Sequence, residues 1–229
     1  QPWIVGGAVR DKVMGKSEKI ADIDITTGNE DIYSLARNCA VAFEKVITDF
    51  KVMNDFHSRM IIGEWKIDFS SNFNIPNITE ILKAKGIQNI TPLKEEVYSR
   101  DFNCNSLLWS LNLKEIKDLT NKGISDIKNR VIQTCLEPNI TFGEDPKRVA
   151  RAIYLSSKLN FNLSNETFLW IKSNPTIISE IKQDFLVKKI NKALEYNKNS
   201  TLKLIDALNI WNQIPATSEL IPYMKGQRI

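Results

Sequence analysis

The hydrophobic pattern of this 229-residue chain changes near residue 137, and this change limits the folds that the chain can adopt. Before it, short segments alternate apolar and polar residues with the period of two expected for strands, as in residues 20–26 (Ile-Ala-Asp-Ile-Asp-Ile-Thr). From residue 145 onward, apolar residues recur at helical spacing. Strands mixed with helices, followed by helices alone, indicate an α+β protein. We therefore predict a mixed-sheet head over residues 1–136 and an all-helical part over residues 137–229.

The predicted elements follow the same division. In the first part, strands are expected at residues 3–5, 20–26, 45–54, 58–70 and 115–118, and helices at residues 8–14, 29–43, 78–85 and 95–111. A turn at Gly63-Glu64 is expected to fold the fourth strand into a hairpin. In the second part, helices are expected at residues 145–159, 165–173, 176–181, 184–195 and 200–211.

Composition excludes several kinds of function. No apolar run approaches the ~18 residues that a membrane-spanning helix needs. The three cysteines are widely spaced, which argues against a disulfide framework or a CxxC metal site and fits a reducing, cytoplasmic setting. His57 is the only histidine, so a site that needs two, such as HExxH, is excluded, and packing or surface exposure is its expected role.

The positive charge of the chain lies in its second part. Residues 1–136 carry 18 Lys and Arg and 18 Asp and Glu, so they are neutral. Residues 137–229 carry 13 Lys and Arg and 9 Asp and Glu, which accounts for the whole net charge of +4. A basic helical part beside a neutral head suits a polyanionic partner such as a nucleic acid.

Two glycines stand between the first predicted strand and the first predicted helix. Gly6 and Gly7 allow backbone N–H groups to approach an anion at the helix N-terminus, and Arg10 follows about one turn later, within reach of a phosphate. Asp22 and Asp24 lie two positions apart on a strand, so their carboxylates face the same side. Mg²⁺ prefers oxygen ligands of this kind, so we expect it between the two carboxylates.

A phosphate-binding loop beside a magnesium-binding pair indicates nucleotide chemistry. In such chemistry, two metal ions activate an attacking hydroxyl and stabilise the leaving oxygen. A third carboxylate from a neighbouring strand commonly completes the site, and Asp68 is the best candidate for it.

Three segments of the chain, in order, resemble motifs of one family. The first resemblance is to the opening motif of the class II tRNA nucleotidyltransferases and bacterial poly(A) polymerases, a family within the polymerase-beta-like superfamily. It is carried by residues 5–11 (Val-Gly-Gly-Ala-Val-Arg-Asp) together with residues 22–26. Residues 100–107 (Arg-Asp-Phe-Asn-Cys-Asn-Ser-Leu) resemble its RRDFxxNAL motif, and residues 144–152 (Glu-Asp-Pro-Lys-Arg-Val-Ala-Arg-Ala) its EDxxRxxRA motif. Residues 118–130 resemble the connecting DPxxGxxDLxxxxxR element, with Leu119 in place of proline. The resemblance covers about residues 3–163 and implies a nucleotidyltransferase head, a helical neck and a shortened body.

The resemblance also implies a role for each motif residue. Asp22 and Asp24 would bind the catalytic metals, with Asp68 as the third carboxylate. The triphosphate-binding residues would be Gly6, Gly7, Arg10 and Arg100.

The later motifs are implied to bind the nucleoside. Asp101 would meet the ribose, and Asn105, four residues on, would share the face of a predicted helix with it. Asp145, Arg148 and Arg151 are spaced by three on another predicted helix, where Asp145 and Arg148 could read the base edge of cytosine or adenine. Because Pro146 follows Asp145, helix capping is an alternative role for its carboxylate.

The implied reaction is template-independent transfer of CMP or AMP from CTP or ATP to an RNA 3′-hydroxyl, most directly that of tRNA, with Mg²⁺ as cofactor. A poly(A) polymerase is one alternative, although the lack of a Gly-Arg-Arg-Phe-like segment favours tRNA 3′-end synthesis. A non-catalytic RNA-binding relative is another. It is suggested by Ser99 in place of the usual second arginine and by the short C-terminal part, whereas the intact Asp22 and Asp24 argue against it. The stretch after Asp68 also departs from the family pattern, because it lacks the arginine often found there. That short part could also require a partner chain or an oligomer.

Overall fold

The computed structural model describes residues 1–16, 22–54, 56–71, 74–110 and 112–215, without the side chain of Asn54. The beginning of the strand predicted at residues 20–26 therefore lies outside the described residues. The chain forms two compact units, Gln1–Lys128 and Asn129–Ile229. The assignment of residues 1–136 to a catalytic head and of residues 137–229 to a neck and body stays a prediction.

The first unit is built on a seven-stranded mixed sheet with the strand order β3-β4-β5-β2-β1-β6-β7. Strands β2 and β5 run parallel, and the other neighbours are antiparallel. The strands are β1 (Trp3–Val5), β2 (Asp22–Thr26), β3 (Ile47–Asn54), β4 (His57–Ile62), β5 (Trp65–Ser70), β6 (Leu108–Ser110) and β7 (Glu115–Lys117). The mixed sheet confirms the predicted α+β class, and the hairpin at Gly63-Glu64 is present.

Helices cover both faces of this sheet. The helices of the first unit are α1 (Gly7–Val13), α2 (Asp31–Ala42), α3 (Ile78–Ala84), α4 (Pro92–Ser99) and α5 (Gly123–Asn129), the last of which crosses the boundary between the units. Ile32 of α2 packs with Met60 and Phe69 on one face. Val97 of α4 packs with Trp3 and Val5 on the other. Because successive strand residues point to opposite faces, the second face also carries the even-numbered residues of β2.

The helix predicted at residues 95–111 is wrong in most of its length. Helix α4 begins at Pro92, where the Thr91 side chain accepts a hydrogen bond from the Lys94 N–H, and ends at Ser99. Arg100 is extended (φ −71°, ψ 167°), a short 3₁₀ turn spans Asn103–Asn105, and β6 follows. Asp, Asn and Ser side chains offer the backbone local hydrogen bonds that compete with a helix, as Ser106 Oγ does by donating to the Asn103 carbonyl at 2.7 Å.

As far as residue 215, where its described part ends, the second unit is mainly helical and contains a two-residue parallel pair, β8 (Val131–Ile132) with β9 (Asn162–Leu163). Its helices are α6 (Pro138–Glu144), α7 (Lys147–Leu159), α8 (Asn165–Ser173) and α9 (Gln183–Leu208). The two helices predicted at residues 184–195 and 200–211 are both present within α9, divided at Asn197, whose backbone is not helical (φ −158°, ψ 90°). Across the packed helices, Ser157 of α7 and Thr201 of α9 share a buried 2.7 Å hydrogen bond. Among the described residues, no helix combines the length and the apolar character needed to cross a membrane.

Candidate active site

The glycine turn after β1 packs directly against an acidic side chain of β2. Gly6 has a positive φ of 81°, and a Cβ added there would lie 2.8 Å from Oδ2 of Asp24. A side chain at this position would therefore require both an unfavourable backbone conformation and displacement of the carboxylate. Gly6 thus holds the start of α1 next to Asp24.

The three predicted acidic residues lie on one face of two neighbouring strands. Asp24 of β2 is directly opposite Asp68 of β5, and Asp22 is opposite Lys66. Neighbouring residues in register on parallel strands point to the same face. The Asp22 side chain is 76% exposed, whereas that of Asp68 is 13% exposed. The sheet register therefore brings together the carboxylates that the sequence separates by more than 40 residues.

Asp68 is surrounded by cationic side chains that the sequence analysis did not identify. Arg59 of β4 donates to its two carboxylate oxygens at 2.7 and 3.2 Å. Lys66 Nζ lies 3.1 Å from Asp68 Oδ2 and 3.3 Å from Asp22 Oδ1, and His57 Nε2 lies 3.6 Å from Asp68 Oδ1. Burial raises the pKa of Asp68, but hydrogen bonds from Arg59 and Lys66 outweigh it and lower the pKa below its usual value. The carboxylate of Asp68 is therefore held ionised and largely neutralised by its neighbours.

This ion-pair cluster gives a prediction about acid stability. Because the pKa of Asp68 is lower in the folded chain, the stabilisation is present above the unfolded value of about 4 and is lost as the pH falls through the folded value. We expect Asp68→Asn to lower the free energy of unfolding by about 2 kcal/mol at pH 7 and by much less at pH 3. Urea unfolding at both pH values measures this, with Glu64→Gln at the exposed hairpin turn as the control. A loss that is equal at both pH values would contradict the ion-pair assignment.

The acidic side chains on this sheet face suit a Mg²⁺ ion that is held by two carboxylates rather than by three. Mg²⁺ commonly takes one or two carboxylates together with water and substrate phosphates. Asp22 and Asp24, two apart on one strand face, meet this requirement, and the Gly6 turn lies beside Asp24. Within the described ranges, no group of three or more Asp, Glu, His or Cys side chains is already assembled for a metal. Asp68 is engaged by Arg59 and Lys66, so its role as a third ligand stays a prediction.

Arg10 joins the first and second motifs. Its side chain is only 3% exposed, and its Nη1 donates to Asn105 Oδ1 at 2.6 Å. Its Nε donates to Asp11 Oδ1 at 2.8 Å. A Cβ on Gly7 would lie 3.3 Å from Arg10 Nη2, so the glycine leaves room for the guanidinium. The predicted phosphate ligand Arg10 is thus fixed in place by residues of two motifs.

The second motif lies after a helix rather than on one. Arg100 and Asp101 follow the last residue of α4, and Asn105 lies in the separate 3₁₀ turn. The prediction that Asp101 and Asn105 share a helix face is therefore wrong. Asp101 Oδ1 accepts a hydrogen bond from the Phe102 N–H at 2.9 Å, which stabilises the extended backbone at this point.

Ser99, which stands where the family has an arginine, has a structural contact. Its side chain is 1% exposed, and its Oγ accepts a hydrogen bond from the Ile75 N–H at 3.0 Å. This position therefore anchors the segment before α3 and is closed to solvent.

A buried acidic residue, Glu96, contacts Arg100 and the ends of two strands. Glu96 is 2% exposed, and its Oε1 accepts a hydrogen bond from Arg100 Nη2 at 2.8 Å. Its Oε2 accepts from Thr26 Oγ1 at 2.6 Å and from Ser71 Oγ at 3.1 Å. Glu96 is not among the predicted site residues, although an acid four positions before an arginine is the spacing typical of a helical ion pair.

The third motif lies at the junction of two helices in the second unit. Asp145 precedes α7 with extended backbone (φ −141°, ψ 96°), so its predicted place within a helix is wrong. Its Oδ1 accepts a hydrogen bond from the Lys147 N–H at 3.2 Å, as a capping residue does. Arg148 and Arg151 are three apart on α7 and share a face. The hydrogen bond to Asp145 stabilises the turn from which α7 begins.

Cationic and aromatic side chains form a further surface on α7 and α9, here called the α7–α9 basic surface. Its members are Arg151, Lys158, Lys188, Lys189 and Lys192 with the rings of Tyr154, Phe185 and Tyr196. Lys189 Nζ lies 4.8 Å from the centre of the Tyr154 ring, and Lys158 Nζ lies 5.8 Å from that of Tyr196.

The cations of this surface repel one another. Burial lowers the pKa of Lys189, and the positive charges of Arg151 and Lys192 lower it further. In the described part of the chain, none of the four lysines has an ion-pair partner. An anionic ligand would therefore relieve an existing repulsion.

Comparison with known proteins gives the family. The model of the family described as "Poly A polymerase head domain" matches residues 2–133. The chain belongs to this family. A tRNA nucleotidyltransferase of Schizosaccharomyces pombe, cca1, is 34% identical over 125 residues, which are 53% of this chain and 25% of that protein. Poly(A) polymerase I of Escherichia coli O6:H1 is 27% identical over 203 residues, which are 85% of this chain and 42% of that protein.

The fold of this poly(A) polymerase head family member is also found among solved structures. A tRNA nucleotidyltransferase complexed with a primer tRNA and an incoming ATP analog superposes with a TM-score of 0.74 at 26% identity, over 96% of this chain and 62% of that one. The family predicted from the motifs is confirmed, and so is the nucleotidyltransferase-type fold. The chain spans less than half the length of the two curated relatives.

Proposed function

We propose that this chain transfers a nucleoside monophosphate from CTP or ATP to an RNA 3′-hydroxyl, most directly that of tRNA, and releases pyrophosphate. The observation that carries the proposal is the packing of the Gly6 turn against Asp24, beside Asp22 on the same strand face. A turn that suits a triphosphate thus meets a carboxylate pair that suits Mg²⁺. The relatives named as tRNA nucleotidyltransferase and poly(A) polymerase I support the same class of reaction.

Asp22 and Asp24 are the residues that would hold Mg²⁺, with Asp68 as the candidate third carboxylate of a two-metal mechanism. Bound there, Mg²⁺ supplies positive charge for an attacking hydroxyl and for the leaving oxygen. Arg59 and Lys66 keep Asp68 ionised and limit its repulsion of the triphosphate. Gly6 and Gly7 are proposed to bind the phosphates through the backbone N–H groups at the start of α1.

Two arginines would bind the phosphates in different ways. The Arg10 side chain donates hydrogen bonds to Asn105 and Asp11, so it contributes a positive charge at a fixed position. The Arg100 side chain is 22% exposed, so the accessible part of its guanidinium can donate to a phosphate oxygen, while its Nε is buried and has no hydrogen-bond partner among the described residues. Asp101 is proposed to bind the ribose.

Base choice is proposed to depend on Asp145 and Arg148. A carboxylate accepts from the exocyclic amine of cytosine or adenine, and a guanidinium donates to the adjacent ring nitrogen. Uracil and guanine present the opposite pattern at these positions. Arg151, on the same face of α7 as Arg148, is proposed to support this pair.

The proposed acceptor is RNA. The α7–α9 basic surface combines aromatic rings, which suit bases, with lysines that have no ion-pair partner among the residues that the structure describes and therefore suit phosphates. We expect the triple variant Lys158→Gln, Lys189→Gln, Lys192→Gln to weaken tRNA binding and to make the slope of log Kobs against log salt shallower by about 2. Filter binding at several salt concentrations measures both.

The control for this surface is a variant with the same change in net charge, made at the exposed residues Lys172, Lys182 and Lys203 of the same unit. It should retain most of the affinity and a slope near that of the wild type. If the two triple variants lose affinity equally, the α7–α9 basic surface has no special role.

Poly(A) addition is the second candidate, because poly(A) polymerase I aligns with 85% of this chain. One assay separates the candidates. Purified protein is given Mg²⁺, labelled CTP or ATP, and tRNAs that end at successive 3′ positions. Addition of one to three nucleotides supports tRNA end synthesis, and long adenylate tails support poly(A) synthesis. If no acceptor gives a product, both candidates fail and the chain is better described as a non-catalytic RNA-binding relative.

A further inference from the structure

Glu96 links the candidate nucleotide ligand Arg100 to both strands that carry the acidic residues. Thr26 is the last residue of β2, which carries Asp22 and Asp24, and Ser71 directly follows β5, which carries Asp68. The two hydroxyl groups lie 3.1 Å apart and both contact Glu96 Oε2. One buried carboxylate therefore connects three segments that are far apart in the sequence.

The hydrogen bonds account for the burial of this charge. A buried carboxylate is tolerated when donors and a cation surround it. Glu96 has two hydroxyl donors and one guanidinium, and the Thr26 hydroxyl oxygen in turn accepts from the Gly28 N–H at 3.0 Å. The carboxylate is thus held at a defined place against the end of β2.

This arrangement sets the orientation of Arg100. A free arginine side chain has many rotamers, and immobilising it during ligand binding has an entropic cost. Here Nη2 is fixed by Glu96, which orients the planar guanidinium and with it the buried, unpartnered Nε. The side chain is 22% exposed, so part of the guanidinium fork stays accessible to a ligand.

We propose that Glu96 is a positioning residue for nucleotide binding: it pre-orients Arg100 for the triphosphate and fixes it relative to β2 and β5. The proposal rests on the proposed function, because a nucleoside triphosphate is taken as the ligand of Arg100. Glu96 itself has no contact with the nucleotide.

The test compares Glu96→Gln with Glu95→Gln. Glu95 lies next to Glu96 on α4 and also accepts a hydrogen bond, from Thr79. We expect Glu96→Gln to raise the KM for ATP or CTP about tenfold, because an uncharged amide holds the Arg100 guanidinium less firmly than the carboxylate does. Its kcat should stay within about threefold of the wild type, since pre-orientation acts mainly on binding. Glu95→Gln should change neither parameter.

A double-mutant cycle identifies the route of the effect. If Glu96 acts through Arg100, then Glu96→Gln should raise KM by less than about twofold when Arg100→Ala is already present. An undiminished increase in that background would overturn the proposal. So would an unchanged KM accompanied only by a lower Tm, which would make Glu96 a purely structural residue.

Two further measurements make the result decisive. If Glu96→Gln does not fold, Glu96→Asp keeps the charge but shortens the side chain, and an increase in KM is again expected. If neither variant folds, the role is structural and the proposal fails. Calorimetric titration of ATP or CTP without RNA measures nucleotide affinity even if no RNA is extended. Failure of the proposed reaction is therefore distinguishable from failure of this inference.

Discussion

Replacing Asp24 with asparagine is expected to lower the rate of nucleotide addition about 1,000-fold, because several kcal/mol of charge stabilisation at the reaction centre depend on this carboxylate. Asparagine has nearly the same size, so the contact with the Gly6 turn should survive and the Tm should change little. Asp22→Asn should have an effect in the same direction. The measurement is kcat with labelled nucleotide and tRNA at saturating Mg²⁺, together with thermal unfolding.

Asp49→Asn provides the matched control, since Asp49 is an exposed acid on β3 of the same sheet. It should retain wild-type turnover. A well-folded Asp24→Asn or Asp22→Asn variant that also retained turnover would remove these residues from the metal site, and with them the two-metal form of the proposed reaction.

Asp145→Asn is expected to reduce the preference for CTP or ATP over UTP roughly tenfold to a hundredfold, the value of a hydrogen bond to a charged group. An amide can rotate and present a donor where the carboxylate only accepts. It can also accept from the Lys147 N–H, so the cap at the start of α7 should survive and stability should barely change. Relative kcat/KM for the four nucleotides measures the selectivity.

Two other variants separate base recognition from capping. Asp145→Ala loses both functions and should also lower the free energy of unfolding by about 1 kcal/mol. Asp184→Asn, near the start of α9, controls for a change of charge close to a helix end. If Asp145→Asn keeps full selectivity and Asp145→Ala loses only stability, the carboxylate is a cap and the base-reading proposal is wrong.

Local sequence patterns were sufficient for much of the sheet. The alternation in residues 22–26 predicts a strand whose acidic residues share one face, and the structure has this strand. The predicted β3, the hairpin and β7 agree with the structure to within about two residues. These elements are determined by the local alternation of apolar and polar residues and by turn-forming residues, and both can be read from a single sequence.

The segment around the second motif could not be predicted in this way. This segment has four fully buried apolar side chains, Phe102, Cys104, Leu107 and Leu108. Their spacing matches neither the period of a strand nor that of a helix over the whole segment. What fixes the segment is distant in sequence: Arg10 of α1 binds Asn105, and Asp126 accepts from Asn103 at 2.9 Å. Tertiary contacts of this kind override local propensity.

The cations at Asp68 were missed for a related reason. Arg59 is nine residues away in the sequence but directly opposite Asp68 across β4 and β5. His57, expected to have a packing or surface role, lies on the same hairpin and contacts Asp68 as well. Pairing of this kind follows from strand register, which the alternation of a single strand does not specify.

The contact between Arg10 and Asn105 has a consequence for engineering this family. The two side chains are 95 residues apart and buried together, so each forms part of the other's environment. A graft that moved the glycine turn, Arg10 and Asp11 into another scaffold without Asn105 would leave Nη1 of the buried guanidinium without its acceptor. The two motifs therefore behave as one module, and natural substitutions at either position should be accompanied by a compensating change at the other.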